Sequence, residues 1–175
     1  MVDDPLALET RRRIYQVVRS NPGIGAREAQ RGASTGWGET VYHLDRLTES
    51  GLVHRERGGH QDRYFVAEVP LGDRRLLGLA RSPAARRILV ELLERPDRTV
   101  PSLVERTGLS QGRISIHLRR FLSVGLVRTG RDGRFRTFAV VEPERAVRLL
   151  VAYRDGFADP LIDRLVTTWS ELFRP

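Results

Sequence analysis

The sequence predicts a mainly α protein with small β-hairpins, an α+β class, built as two tandem copies of one domain and followed by C-terminal helices. Three observations carry this. Shifted along itself by 74 residues with no gap, the chain places Arg12-Arg13-Ile14 on Arg86-Arg87-Ile88, Pro22 on Pro96, Gly38 on Gly112 and His43-Leu44 on His117-Leu118. The match runs on through Gly51-Leu52-Val53 on Gly125-Leu126-Val127, Arg57 on Arg131, Gly59 on Gly133 and Val66 on Val140. Within each copy, apolar residues recur three and four apart and then change to a strand-like pattern after a glycine. Finally, 175 residues suit two small domains, each with a core of its own.

In the first copy, Asp3 or Asp4 can cap a helix with Pro5 at its first position, and Leu8, Ile14, Val17 and Val18 form its apolar stripe up to Asn21-Pro22-Gly23. A short helix over Ala26 to Arg31 and a turn over Gly32 to Gly36 follow. A third helix is expected from Trp37 to Ser50, with Trp37, Val41, Leu44 and Leu47 facing inward and Gly51 ending it. Leu52 to Glu56 and Arg63 to Ala67 read as strands about Gly58-Gly59. Pro70 to Asp73 marks a break, and Arg74 to Ala80 a short helical connector.

The second copy repeats the pattern. Ser82-Pro83 opens a helix carrying Ile88, Leu89, Leu92 and Leu93, which stops before Pro96. A short helix holds Leu103, Val104 and Arg106. Ser110 caps a third helix whose core residues are Ile114, Leu118 and Phe121. Its hairpin spans Leu126 to Arg128 and Arg134 to Val140 around Asp132-Gly133, the strongest turn signal in the chain. Three helices and a hairpin make a winged helix-turn-helix. The boundaries expected are 1–70 and 82–141 for the two domains, 71–81 for the connector and 142–175 for a C-terminal helical segment.

The run Leu109-Ser110-Gln111-Gly112-Arg113-Ile114-Ser115-Ile116-His117-Leu118, with Gly125-Leu126-Val127 beyond it, resembles the recognition helix of ArsR/MarR-like winged-helix transcriptional regulators. Gly36-Trp37-Gly38 and Tyr42-His43-Leu44-Asp45-Arg46-Leu47 resemble the archaeal branch of that group. The resemblance implies a third helix that enters the major groove, with Ser110, Gln111, Arg113 and Ser115 toward the bases. The metal-sensing cysteines of ArsR proteins have no counterpart, so metal sensing of that kind is not implied.

All 30 basic residues are arginine and the formal charge is +8, which favours a polyanionic partner. The charge is uneven. Residues 32–68 hold four arginines and six carboxylates, a balance of −2, whereas the equivalent residues 106–142 hold eight arginines against Asp132 and Glu142, a balance of +6. Phosphate neutralisation dominates affinity for DNA, so the second copy is the expected reader of double-stranded DNA. Gln111, Ser115 and Arg113 are assigned to base edges, His117, Arg119 and Arg120 to the helix end near the backbone, and Arg131, Arg134 and Arg136 to flanking phosphates or the minor groove. A secondary DNA-binding set in the first copy comprises Thr35, Trp37, His43, Arg46, Arg57 and Arg63, although Trp37 fits core packing better than stacking on a base.

Beyond the second hairpin, Glu142-Pro143 and Asp159-Pro160 open helices, and Leu161, Leu165, Trp169, Leu172 and Phe173 lie on a stripe assigned to homodimerisation. A twofold pair of recognition helices would then read a palindromic site. Packing of the stripe across the chain's own domains is the competing reading.

The absence of cysteine excludes disulfides, thiol catalysis and cysteine zinc sites. No phosphate-binding loop or His-Glu-x-x-His motif appears, and no cofactor, metal or enzymatic activity is expected. With no long apolar run and an acidic start, the expected location is cytoplasmic and nucleoid-associated, away from membranes. The expected function is DNA-binding transcriptional regulation, with repression as its mode. A chromosomal architectural protein of low sequence specificity is the alternative, and a tandem winged-helix assembly factor the third reading.

Overall fold

A computed structural model describes residues 4–57 and 61–172, with side chains through Trp169. The chain divides into two compact units. The first contains residues up to Gly78 together with Asp155–Phe157, and the second contains Leu79–Arg154 and the chain from Ala158 onward.

The first unit holds α1 (Glu9–Ser20), α2 (Ala26–Ala33), α3 (Trp37–Glu49), the antiparallel strands β1 (Val53–Arg57) and β2 (Asp62–Val66), and most of α4 (Leu71–Ala80). The second holds α5 (Pro83–Glu94), β3 (Arg98–Thr99), α6 (Val100–Thr107), α7 (Gln111–Ser123), β4 (Val127–Asp132), β5 (Phe135–Val140), α8 (Pro143–Ala152) and α10 (Pro160–Leu172). The short helix α9 (Arg154–Phe157) lies between α8 and α10 in the chain.

The 74-residue period is structural to the residue. It carries α1 onto α5, α2 onto α6 and α3 onto α7 with identical ends. Strand register repeats as well: Val53 faces Val66 and Val127 faces Val140, while Arg57 faces Asp62 and Arg131 faces Arg136. Left-handed backbone recurs at Gly23 and Asp97, at Ser34 and Gly108, and at Gly51 and Gly125. The last of these pairs explains the glycine at that position, where a side chain would be strained.

Each core is the inner face of its three helices closed by the hairpin. In the first unit Ile14, Val18, Ala29, Leu44, Leu47 and Phe65 are almost fully buried, and in the second Ile88, Leu92, Leu103, Leu118, Phe121 and Ala139 occupy the same six positions. Thr40 and Ile114 also correspond, and both are fully buried. The threonine is tolerated because its hydroxyl donates to the Gly36 carbonyl at 2.8 Å and lies 2.6 Å from the Thr35 hydroxyl.

Several expectations are corrected. Asp4 caps a turn rather than a helix: its carboxylate accepts the Leu6 N–H at 2.9 Å and its carbonyl the Ala7 N–H at 3.0 Å. Helix α1 therefore starts at Glu9, Leu8 is exposed, and Tyr15 joins Ile14 and Val18 inside. Trp37 is 41% exposed and does not begin the core stripe of α3, which is Thr40, His43, Leu44 and Leu47. The start of α4 falls at Leu71, where the Pro70 carbonyl accepts the Asp73 and Arg74 N–H groups.

One strand was not visible in the pattern. The two-residue β3 pairs with β5, making a three-stranded sheet in the order β3-β5-β4, with Arg98 facing Phe138. Its counterpart in the first unit is the single bridge between Ile24 and Tyr64, again 74 residues earlier. The repeat also reaches further than sequence identity does. Adding the period to α4 lands on residues 145–154, within α8 and just beyond, and Leu76 and Leu150 are both buried.

Helix α10 has no counterpart in the first unit. It packs on α5 and α8, where Ile162 and Leu165 are fully buried. This corrects the assignment of Leu165 to a dimer contact, because the chain's own core already occupies that side chain. Leu161 and Trp169 are half-buried, nothing is described of the Leu172 side chain, and Phe173 lies outside the described residues. Arg164 bonds Glu94 at 2.9 Å and reaches Glu91 at 3.5 Å, and Arg86 bonds Asp159 at 2.7 Å.

The pairing of Arg86 and Asp159 is the best-buried ion pair described, with the two side chains 8% and 14% exposed. Arg86 also donates to the carbonyl six residues before it, Ala80, at 2.7 Å. Its repeat equivalent, Arg12, makes the same bond to Leu6 at 3.1 Å, but at the surface. Removing Arg86 leaves the largely enclosed Asp159 carboxylate, 14% exposed, without its cation. Arg86→Ala is expected to cost about 3–5 kcal/mol of stability in urea unfolding, and Arg12→Ala about 1 kcal/mol or less.

Candidate nucleic-acid interface

Helix α7 is presented by its own packing. Ile114, Leu118 and Phe121 turn into the core, which leaves Gln111, Gly112, Arg113, Ile116, Arg119 and Arg120 exposed. Ser110 is the N-cap, accepting the Arg113 N–H at 3.4 Å, so one lone pair of its hydroxyl is already engaged. Ser115 and His117 are half-buried at the edges of this face. The His117 ring lies 6.3 Å from that of Phe121, and burial, with Arg120 and Arg113 nearby, holds its pKa below the usual histidine value.

The hairpin of β4 and β5 brings arginines together. Arg131 faces Arg136 across the ladder, so two like charges lie opposite each other near the tip. With Thr129, Gly130 and Arg134 they line an open concavity of about 560 Å³. A Cβ at Gly130 would come within 2.8 Å of the Thr137 hydroxyl, so a larger residue there would have to displace that side chain. Among the described residues, no carboxylate is paired with Arg113, Arg119, Arg120, Arg131, Arg134 or Arg136. Arg128 is the exception on this hairpin, 3.6 Å from Asp97.

The equivalent surface of the first unit is internally neutralised. Where Arg131 faces Arg136, Arg57 faces Asp62. Where α7 has Arg113 and Arg119, α3 has Glu39 and Asp45. Asp45 bonds Arg55 at 3.0 Å and Arg46 bonds Glu49 at 2.9 Å. Arg63 donates to the Gly23 carbonyl at 3.1 Å and lies 3.9 Å from Glu28, while Thr35 is held against Thr40. His43 is 6% exposed and its Nδ1 accepts the Arg11 Nε–H at 3.3 Å, which corrects its assignment to a DNA surface. Trp37 is exposed, with the Arg27 guanidinium stacked 3.8 Å from its ring centre.

Two exposed apolar residues on the basic surface escaped sequence reasoning. Phe135 is 47% exposed at the hairpin tip with Arg134 5.1 Å from its ring, and Ile116 is 45% exposed on α7. The signal for Ile116 was present: it is two residues from both Ile114 and Leu118, about half a helical turn from the core side. A signal for Phe135 was present as well: it is three residues from Phe138 on β5, and an odd spacing along a strand puts two side chains on opposite faces.

Residues 8–77 match a family model described as an N-terminal HTH domain, and residues 82–129 match that of the bacterial regulatory protein, arsR family. This chain is a tandem winged helix-turn-helix protein. Its relatives include an uncharacterized HTH-type transcriptional regulator of Methanocaldococcus jannaschii, 24% identical over 125 residues, covering 71% of this chain and 32% of that protein. A probable mercury resistance operon repressor of Streptomyces lividans is 34% identical over 64 residues, covering 37% of this chain and 51% of the relative. The tandem winged helix-turn-helix chain therefore spans about a third and about half of these two proteins. Among solved structures, M. tuberculosis Rv0081 is 32% identical, with a TM-score of 0.42, over 51% of this chain and 89% of that one. Among the described residues, no helix is long and apolar enough to cross a membrane.

His43 and His117 give the tandem winged helix-turn-helix protein an acid sensitivity of defined sign. Burial is the largest cause of the lowered pKa of each, so both are neutral in the fold at pH 7. Between the lowered folded values and about 6.5 the unfolded chain binds more protons. Stability should be unaffected by these groups above pH 6.5 and fall as pH drops from there through the folded values. Urea midpoints between pH 7.5 and pH 5.5 are expected to decline less in the His43→Gln, His117→Gln double variant.

Proposed function

We propose that this protein is a DNA-binding transcriptional regulator, a repressor in mode, whose second winged helix is the main reader of double-stranded DNA. The observation that carries this reading is the set of six exposed arginines on α7 and the β4–β5 hairpin without carboxylate partners among the described residues. Like-charge pairs such as Arg131 and Arg136 raise the energy of the free protein, and a phosphate between them removes that cost. Of the equivalent positions in the first unit, three are the acids Glu39, Asp45 and Asp62 and a fourth is Arg46, paired with Glu49, which suits a supporting or protein-binding role there.

In this reading α7 lies in the major groove. Gln111, with amide geometry matched to adenine N6 and N7, and Arg113, matched to guanine O6 and N7, are near its N-terminal end. Arg119 and Arg120 run along the backbone, and Arg131, Arg134 and Arg136 reach flanking phosphates or a narrow minor groove. In this reading Ser110, whose hydroxyl already caps α7, and Ser115, which is half-buried, contribute less. A homodimer would pair two such helices on a palindromic site, using the half-buried Leu161 and Trp169 of α10 at the subunit contact. The relatives named as transcriptional regulator and operon repressor support the regulatory role. Mercury sensing does not come across from the second, since this chain has no cysteine thiolate to offer a soft metal.

Selection of the purified protein on random duplex DNA at about 150 mM salt tests the proposal directly. An enriched palindrome supports a dimeric regulator, tight binding without enrichment supports the architectural role, and no binding overturns both. With about six phosphates neutralised, the slope of log affinity against log salt should be near −5. Arg131→Ala, Arg134→Ala and Arg136→Ala should each flatten that slope by about 1, measured by fluorescence anisotropy, while Arg57→Ala should leave it unchanged.

A further inference from the structure

We propose that Ile116 reads the C5-methyl group of a thymine, making it a specificity-determining residue; this deepens the reading of α7 as a major-groove helix and rests on it. Ile116 occupies the middle of the outward face of α7. It lies two residues from each of the buried Ile114 and Leu118, so its side chain leaves the helix on the side away from the core. It is 45% exposed, an apolar side chain on a surface rich in arginine. Arg113, Arg119 and Arg120 stand three before, three after and four after it, the positions that neighbour it on a helix surface.

The residue one turn before Ile116 is Gly112, and a Cβ built there would meet no atom within 4 Å. The missing side chain lets the backbone approach the floor of a groove, which matters because isoleucine is shorter than the arginines around it. A flanking arginine can reach a phosphate while Ile116 sits against a base edge. In the major groove the base edges offer hydrogen-bond donors and acceptors, and thymine alone among the four bases adds an apolar group. An isoleucine has no hydrogen bond to give, so it favours that methyl and leaves the polar edge of a guanine or cytosine without a partner.

The equivalent residue on α3 is Tyr42, which is 52% exposed. Its neighbours at the arginine positions are Glu39, Asp45 and Arg46, and the two carboxylates would face phosphate oxygens. The inference is therefore confined to α7.

The test uses the full chain and a duplex taken from its own selected pool. Each thymine is replaced in turn by deoxyuridine, which removes the methyl and keeps the Watson–Crick edge. For wild type, one thymine per half-site is expected to lose about fourfold in affinity on replacement, the effect of one buried methyl group. Ile116→Ser should bind the thymine and uracil duplexes equally, and Ile116→Val, which keeps a branched apolar surface, should retain the preference. A wild-type protein indifferent to every replacement, a preference that survives in Ile116→Ser, or a selected pool with no enriched thymine overturns the role of Ile116 while leaving DNA binding intact. Failure of wild type to bind duplex DNA at all overturns the proposed function and this inference with it.

Discussion

The inward stripe on the third helix of each repeat constrains everything that faces outward. Ile114, Leu118 and Phe121 are buried against α5, α6 and the hairpin, and Thr40, Leu44 and Leu47 do the same in the first unit. A helix has one rotation about its axis that buries such a stripe, so the opposite face is fixed without any partner being present. The hairpin is anchored to the same core through Val127, Phe138 and Val140, which sets where its arginines stand relative to α7. Loss of that packing would free the helix to turn, and the outward residues would no longer form one surface.

On this shared scaffold the two units carry different electrostatics. Backbone ends, strand register and left-handed positions coincide after a shift of 74 residues, so the electrostatic difference is carried by exposed side chains on a common backbone. In the first unit, arginines are answered by nearby acids at about 3 Å, as in Arg46 with Glu49 and Arg55 with Asp45. Exposed pairs of this kind add little stability, but they remove the net field that would draw a polyanion. In the second unit the acids at these positions are replaced, Glu49 by Ser123 and Asp45 by Arg119, and Arg131 faces Arg136 where Arg57 faces Asp62, so the field remains.

The acids that distinguish the second unit's interior serve packing instead. Glu91 is buried on α5 and is approached by Arg106 from α6 and Arg164 from α10, while Asp159 receives Arg86. These contacts tie the C-terminal helix to the helix-turn-helix core. They also explain why part of the stripe assigned to dimerisation is occupied: an amphipathic helix at the end of a chain can cover its own domain as readily as a neighbour, and Ile162 and Leu165 do so.

The repeat, the order of elements and the position of α7 were legible because each rests on local signals: helical spacing, Ser82-Pro83 and Ser110 as helix starts, Asp132-Gly133 as a turn. The charge contrast was also legible, since residue counts over equivalent windows need no coordinates. What sequence could not supply depends on which groups meet. The β3 strand has no pattern of its own and exists only because β5 pairs with it. Trp37 has the chemistry of a core residue and lies outside because Thr40 and His43 take the inward positions of α3. Arg63 and His43 look available in sequence and are engaged by Gly23 and Arg11, partners 40 and 32 residues away. Sequence by itself determined the architecture and the sign of the surface, because helix periodicity and charge are additive along the chain. Tertiary structure alone decided which arginines are engaged within the fold and which stand without a carboxylate among the described residues, because pairing depends on residues far apart in sequence.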